Sequence, residues 1–413
     1  MAADGLDTRA DLDLLRRWRL ATGPGECADV YDALRAAGPL VPTSWGPLLA
    51  VGYEDCKQVL STPVWRMLGA NWRDGNQPEW RKSPVAVAAS RTVLQLDPPE
   101  HAGNRRRLTA ALSPRAATFV PAAADRLLGR GLRDLAERVR HEGIGDLVTA
   151  VCRPTPMALL TELLGLPAAD HERLDSLARA CVLTEEIVRP PSLVRQGEAA
   201  VGAMLDYIDR ALSQRLRKPA GDILSHWAAT DPAGGRYLAL MLLTAGSITT
   251  STLLASVALA LLTLPESERS RYQDPSRAER LVDEVLRWDP PARVPTRVAC
   301  SATVLGDVRV PAGQVVYAVI GAAHRDPHVF ERPHVFDPGR APQRLLAFGS
   351  GPHYCPGATM ARAQAVAFVR HFTEVLPTAR LAGPVRRRTG PVFTDITHLP
   401  VALPPGPRRT ESP

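Results

Sequence analysis

Ten consecutive residues, Phe348-Gly349-Ser350-Gly351-Pro352-His353-Tyr354-Cys355-Pro356-Gly357, bring a thiol and an imidazole into a glycine-rich run. Gly349 and Gly351 let the backbone bend tightly and approach something flat. The apolar spacing that follows predicts a helix over 357–375, and Pro356 suits a first helical position. Cys355 then stands at a helix N-terminus, where unpaired N–H groups and positive potential lower a thiol's pKa. A thiolate held this way serves as a metal ligand or as a nucleophile. The segment is not G-x-G-x-x-G and lacks the strand–turn–helix setting of a phosphate loop. A zinc site needs about four ligands at finger-like spacing, and His353 is the only such residue close to Cys355 in sequence.

Residues 348–357 fit F-G-x-G-x-H-x-C-x-G at every fixed position. The chain therefore resembles the cytochrome P450 family, whose haem-binding signature this is. The resemblance implies haem b with Cys355 as the iron ligand, set in a loop of Phe348, Gly349, Gly351 and Gly357. Three more segments follow the family's order. Glu284-Val285-Leu286-Arg287 resembles its E-x-x-R, in which the two charges share a helix face. The family braces this pair with a base from a later irregular segment, here Arg340 in Phe336-Asp337-Pro338-Gly339-Arg340. His101 and Arg105, four residues apart, resemble the pair that holds a haem propionate, a group that guanidinium can bind bidentately. Arg297 and His353 match two further propionate partners.

The last segment is Ala245-Gly246-Ser247-Ile248-Thr249-Thr250, which resembles the family's A/G-G-x-D/E-T-T. By that likeness Ala245 and Gly246 leave room for dioxygen. Thr249 bends the helix and relays protons, with Ser247 or Thr250 helping. Ile248 departs from the pattern, because it stands where the proton-gathering acid is expected. Ordinary oxygenation with a rerouted relay is the main expectation. The alternative is oxidative coupling, forming a C–C or C–N bond on an aromatic or indole scaffold without oxygen insertion. A haem-binding protein without turnover is a third reading, disfavoured by Thr249.

These residues need a scaffold to position them. Apolar residues at three- and four-residue steps predict helices over 118–141, 157–187 and 195–217. Asp97 reads as the N-cap of a further helix. A helix over 276–288 is stopped by Asp289-Pro290-Pro291. Residues 45–51 and parts of 300–320 read as strands. The segment 61–95 has no clear period and carries Trp65, Trp72 and Trp80, expected to pack a flat substrate or simply to fill a lid. Residues 235–264 read as a long helix, with no charged residue from Tyr237 to Leu264. Its hydroxyl-rich middle favours a buried core helix over a membrane span. The fold class expected is mainly α, with the cytochrome P450 fold, a small β region, and haem between the long central helix and the Cys-loop helix. Residues 1–413 read as one domain with a disordered tail from 404.

The composition is consistent with this. Of 413 residues 45% are hydrophobic and 23% charged, an ordinary globular balance. Six cysteines exclude a disulfide scaffold. A net charge of +7 does not imply nucleic acid. The acidic start of the chain lacks a secretory pattern, so a cytoplasmic monomer is expected. The resemblance implies a small-molecule substrate and electrons from a ferredoxin and its reductase, with Arg340, Arg344 and Arg362 as candidate docking charges. The triplet Arg386-Arg387-Arg388 reads as solvated surface.

Overall fold

A computed structural model describes residues 13–404 except 15, 19, 22, 188, 342, 343 and 389, and describes no side chain at 114–116 or 183. The expected tail beyond 404 lies outside the described residues. Helices dominate. The longest run over Glu100–Glu142, Pro191–Arg217 and Pro232–Thr263.

The helix Pro232–Thr263 forms the axis. Asp231 caps it by accepting the Gly234 N–H at 3.0 Å, and Pro232 takes its first turn. Among the described residues it is the one helix long and apolar enough to cross a membrane, yet 78% of its most apolar stretch is buried inside the protein. It is a core helix. It packs against Pro154–Leu164, His171–Val182 and the terminal helix Ala358–Val375. The terminal helix also packs against Glu100–Glu142. A large apolar cluster, from Leu108 through Leu254 to Phe372, joins these elements.

Three expectations about helices change. Residues 118–141 are the second half of one helix that begins at Glu100. Residues 157–187 do not form one helix, because Gly165 closes the first at φ +72 and a new helix begins at His171. Glycine takes this left-handed cap without a Cβ penalty. Asp97 does not cap the helix that starts at Glu100. Its Oδ1 accepts the Met67 N–H at 3.1 Å and pins the preceding segment instead.

The small β region contains a five-stranded sheet in the order Leu40–Pro42, Leu48–Ala50, Val315–Ala318, Thr296–Ala299, Trp65–Arg66. Leu48–Ala50 and Val315–Ala318 run parallel, and the other neighbours are antiparallel. This sheet presents Arg297 to the site. The hairpin Thr303–Leu305 and Val308–Val310 turns at Gly306, where φ is +55. A separate pair, Arg386–Arg388 with Asp395–His398, meets the central helix through its second strand.

Candidate active site

The Cys355 loop is closed by its own backbone. The Cys355 N–H donates to Phe348 O at 2.9 Å, and the Gly349 N–H to Leu346 O at 2.8 Å. Gly349 and Gly351 sit at φ +76 and +67, a region that favours glycine. Gly351 has a second constraint. A Cβ there would lie 2.6 Å from Ser61 Cα and 2.9 Å from Leu60 O, so only glycine admits the end of helix Tyr53–Ser61. The Phe348 ring lies under the Arg362 guanidinium, 5.2 Å from its centre.

The helix begins at Ala358, with Gly357 as its N-cap, so Pro356 lies in the turn before it and not in its first turn. Backbone N–H groups of Gly357 and Ala358 point at the Cys355 sulfur. They and Arg105 pull the thiol pKa down, but burial outweighs them and the net shift is upward. Desolvation of the charged form exceeds what two N–H groups and one guanidinium return.

Around this thiol the bases predicted from sequence converge. The rings of His101 and His353 lie 4.2 Å apart. His101 is buried, and its Nε2 has no hydrogen-bond partner. Arg297 is 5% exposed, and its Nη1 donates to its neighbour's carbonyl, Thr296 O, at 2.9 Å. Burial depresses the pKa of all of them: His353 to about 3, Arg297 to about 10, and His101 and Arg105 in the same direction. Their mutual repulsion adds to the effect at both histidines. Asp97 is the carboxylate that faces His101 and Arg297. A largely buried cluster of two guanidinium groups and two imidazoles, with an orphaned nitrogen and one nearby acid, suits an anionic ligand. The two propionates of haem meet that demand, and Cys355 offers the iron ligand, so the residues present fit the group.

The brace is complete. Arg287 Nε and Nη2 donate to the two oxygens of Glu284 at 2.8 and 2.7 Å, with both residues buried. Arg287 also donates to the carbonyls of His324, Pro333 and Val335. Glu284 accepts the Asp337 N–H at 2.8 Å and lies 3.4 Å from Arg340 Nε. Arg340 therefore joins the pair as expected. The same contacts remove it from the docking candidates, since its side chain is 10% exposed. Arg362 pairs with Asp283. Arg344 is the one of the three that stays exposed. The triplet at 386–388 is not all solvated either. Arg387 reaches the buried Asp289 at 2.8 Å, and Arg293 reaches the other oxygen of that carboxylate at 2.7 Å.

On the central helix, Ala245, Gly246 and Thr249 share a half-open stretch. Thr249 Oγ1 donates to Ala245 O at 2.7 Å, a back-bond of the kind that bends helices, which leaves its lone pairs free to accept. Ser247 makes the same bond to Leu243 O at 2.6 Å and is buried, as is Thr250. A Cβ on Gly246 would come 3.1 Å from Leu160, so this glycine also admits the helix Pro154–Leu164. Ile248 does not belong to this open face. It is 2% exposed and packs in the large apolar cluster. An acid there would be a charge in the core, which the surrounding leucines could not satisfy.

The tryptophans divide. Trp65 is 5% exposed, pairs in the sheet with Ala299 and packs in the apolar cluster beneath it. Trp80 is also buried, and its Nε1 donates to Asp74 Oδ1 at 2.8 Å while Arg81 stacks on its ring. Both pack in the interior, the second of the two roles expected for them. Trp72 is half-buried, with a shielded Nε1 that has no partner. Sequence reasoning missed Asp395 and Arg179, which reach the central helix from remote segments with no local motif to flag them.

The comparisons agree with this geometry. The family described as Cytochrome P450 matches residues 235–374. The mycinamicin IV hydroxylase/epoxidase of Micromonospora griseorubida is 31% identical over 404 residues, covering 92% of this chain and 95% of that protein. The cytochrome P450 monooxygenase PikC of Streptomyces venezuelae is 29% identical, covering 92% of each. The crystal structure of P450BioI in complex with a hexadec-9Z-enoic acid ligated acyl carrier protein superposes with a TM-score of 0.83 at 25% identity, covering 91% of this chain and 98% of that one. With the thiol loop, the E-x-x-R brace and these relatives in agreement, the chain belongs to the cytochrome P450 family of haem-dependent oxidoreductases.

Proposed function

We propose that this protein is a monooxygenase that tailors a small secondary metabolite. The observation that carries the reading is the convergence of His101, Arg105, Arg297 and His353 beside Cys355. In this reading Cys355 ligates iron, and Phe348, Gly349, Gly351 and Gly357 shape its loop. His101, Arg105, Arg297 and His353 hold the propionates, which relieve their mutual repulsion. Bound haem supplies the activation of dioxygen with two electrons.

The chain's own groups do the rest. Gly357 and Ala358 direct N–H groups at the sulfur and tune its donor strength. Ala245 and Gly246 keep the facing helix surface low. Thr249, its own proton held by Ala245 O, accepts a proton from one side and releases its own to the other. Trp72 offers an N–H and a ring to the substrate. Ferredoxin and its reductase supply electrons, with Arg344 as a docking charge.

Two relatives support the substrate class by name: the mycinamicin IV hydroxylase/epoxidase, and the nocardicin C N-oxygenase of Nocardia uniformis at 30% identity. The coupling reading rested on Ile248, and the core position of that residue adds nothing in its favour. The test is turnover with ferredoxin, reductase, NADPH and oxygen-18 dioxygen on a panel of macrolactones led by mycinamicin IV. The expected result is one labelled oxygen in the product. A coupled product without label would overturn the reading.

A further inference from the structure

Ile248 leaves the central helix without a carboxylate at the position where the resemblance expects one, but a carboxylate reaches this helix from elsewhere. One turn beyond Thr249, Thr252 Oγ1 donates to Asp395 Oδ1 at 3.2 Å. Arg179 Nη1 holds the other oxygen of Asp395 at 3.1 Å, and its Nη2 donates to Ser251 Oγ at 3.1 Å. Arg179 Nε also donates to Asp175 Oδ2 at 3.1 Å, and Arg153 donates to the same oxygen.

These contacts make a ladder of alternating charge, Arg153–Asp175–Arg179–Asp395, that ends on the central helix. Its outer member, Arg153, is 38% exposed, and its inner member, Asp395, is 5% exposed. Asp175 Oδ1 is buried and has no hydrogen-bond partner. Three different segments contribute: helix His171–Val182, strand Asp395–His398 and the turn before Pro154–Leu164. Thr252, 1% exposed, stands three residues after Thr249 and four after Ile248, so it lies between the open face and the core face of the helix.

We propose that Asp395 is the proton donor that replaces the missing acid, passing protons through Thr252 to the face that carries Thr249. This inference rests on the monooxygenase reading and names its proton source. The step is a pure proton transfer. The Asp395 O–H bond breaks, Thr252 Oγ1 gains that proton, and the proton Thr252 already carried moves to an acceptor on the Thr249 side. The Asp395 carboxylate then regains a proton from solvent. No electron moves. Arg153 and Arg179 stay charged throughout and fix the two carboxylates in place.

The charges facing Asp395 are Arg179 from its helix, Arg388 from the neighbouring strand and Arg153; the Cys152 thiol lies close by. Burial pushes the Asp395 carboxyl above its usual range, against the pull of these guanidinium groups. A carboxyl in that state can hold a proton and give it up.

The test uses the holoenzyme with Asp395→Asn, Asp395→Glu and Thr252→Val. Infrared difference spectra of the ferric protein between acid and neutral pH read the carboxyl without turnover. A protonated-carboxyl band absent in Asp395→Asn is expected, and no such band would overturn the proposal. In NADPH-driven reactions Asp395→Asn and Thr252→Val should release several-fold more hydrogen peroxide per NADPH than the wild type, and Asp395→Glu should recover much of the loss. Product formation driven by added hydrogen peroxide, which brings its own protons, should not fall. Equal loss in both reactions, or unchanged peroxide release in Asp395→Asn, would assign the ladder a purely structural part. If the wild type oxygenates nothing on the panel, the functional reading fails, and the infrared band still decides whether Asp395 titrates.

Discussion

The two sides of the site are built by opposite means. On the thiol side the groups are closed by neighbours from short, contiguous motifs. Glu284 and Arg287 satisfy each other, three backbone carbonyls and the Asp337 N–H, and the Cys355 loop is tied by its own backbone. On the Thr249 side Ser247 and Thr249 bond to their own helix, Ser251 and Thr252 bond to side chains from elsewhere, and the charged groups arrive from residues 175, 179 and 395. The first arrangement fixes where a cofactor sits and tolerates little change. The second can exchange its polar groups without disturbing the scaffold. That difference explains how Ile248 can occupy an otherwise acidic position while the rest of the signature stays whole.

The largest break in the comparison is expected on the thiol side. Glu284→Gln leaves a buried guanidinium without its counter-charge, which costs about 3–5 kcal/mol. Thermal unfolding should show a large drop in Tm, with loss of haem from what remains folded. An unchanged Tm would contradict the rigid account of this side.

A second effect concerns pH. Despite burial, Arg387 and Arg293 hold the Asp289 carboxyl down at about 2. A carboxyl depressed on folding contributes stability that is present above its unfolded pKa. That stability is lost as pH falls from the usual carboxylate range towards about 2. Asp289→Asn should be less stable than the wild type at neutral pH, and the gap should narrow on acidification. Denaturant midpoints measured against pH check the sign, and a gap that widens in acid would refute it.

Thr249→Ala belongs to the tolerant side. Tm and haem content should stay near wild type, while product formed per NADPH falls about tenfold or more. A comparable loss of stability would erase the contrast between the two sides.

The smallest effect separates two tryptophans. Trp80→Phe should lower Tm slightly, by losing the Asp74 hydrogen bond, and leave ligand-induced spectral shifts alone. Trp72→Phe should do the reverse. Equal effects on ligand binding would return Trp80 to the substrate site.

These contrasts also mark what could be read from the chain. The Cys355 loop, the E-x-x-R pair, Arg340 and the four bases were legible because each lies in a short segment that resembles one of the family's motifs. The central helix was legible from its unbroken apolar character. Position-dependent burial was not. Nothing in the sequence distinguishes the core face of Ile248 from the open face of Thr249 one residue on, or Trp80 held by Asp74 from the half-buried Trp72. Arg387 looked like surface because its partner, Asp289, lies 98 residues away. Asp97 looked like a cap because its real partner, the Met67 N–H, comes from the segment without a period. Tertiary pairing decided all of these, and Asp395 is the extreme case.

The central claim is that Cys355 provides the thiolate to the haem iron. The direct measurement is the Soret band of the reduced carbon monoxide complex, in the wild type and in Cys355→Ser. The wild type should give the thiolate-type band, and Cys355→Ser should lose it while still folding. A thiolate-type band that survives in Cys355→Ser would contradict the assignment.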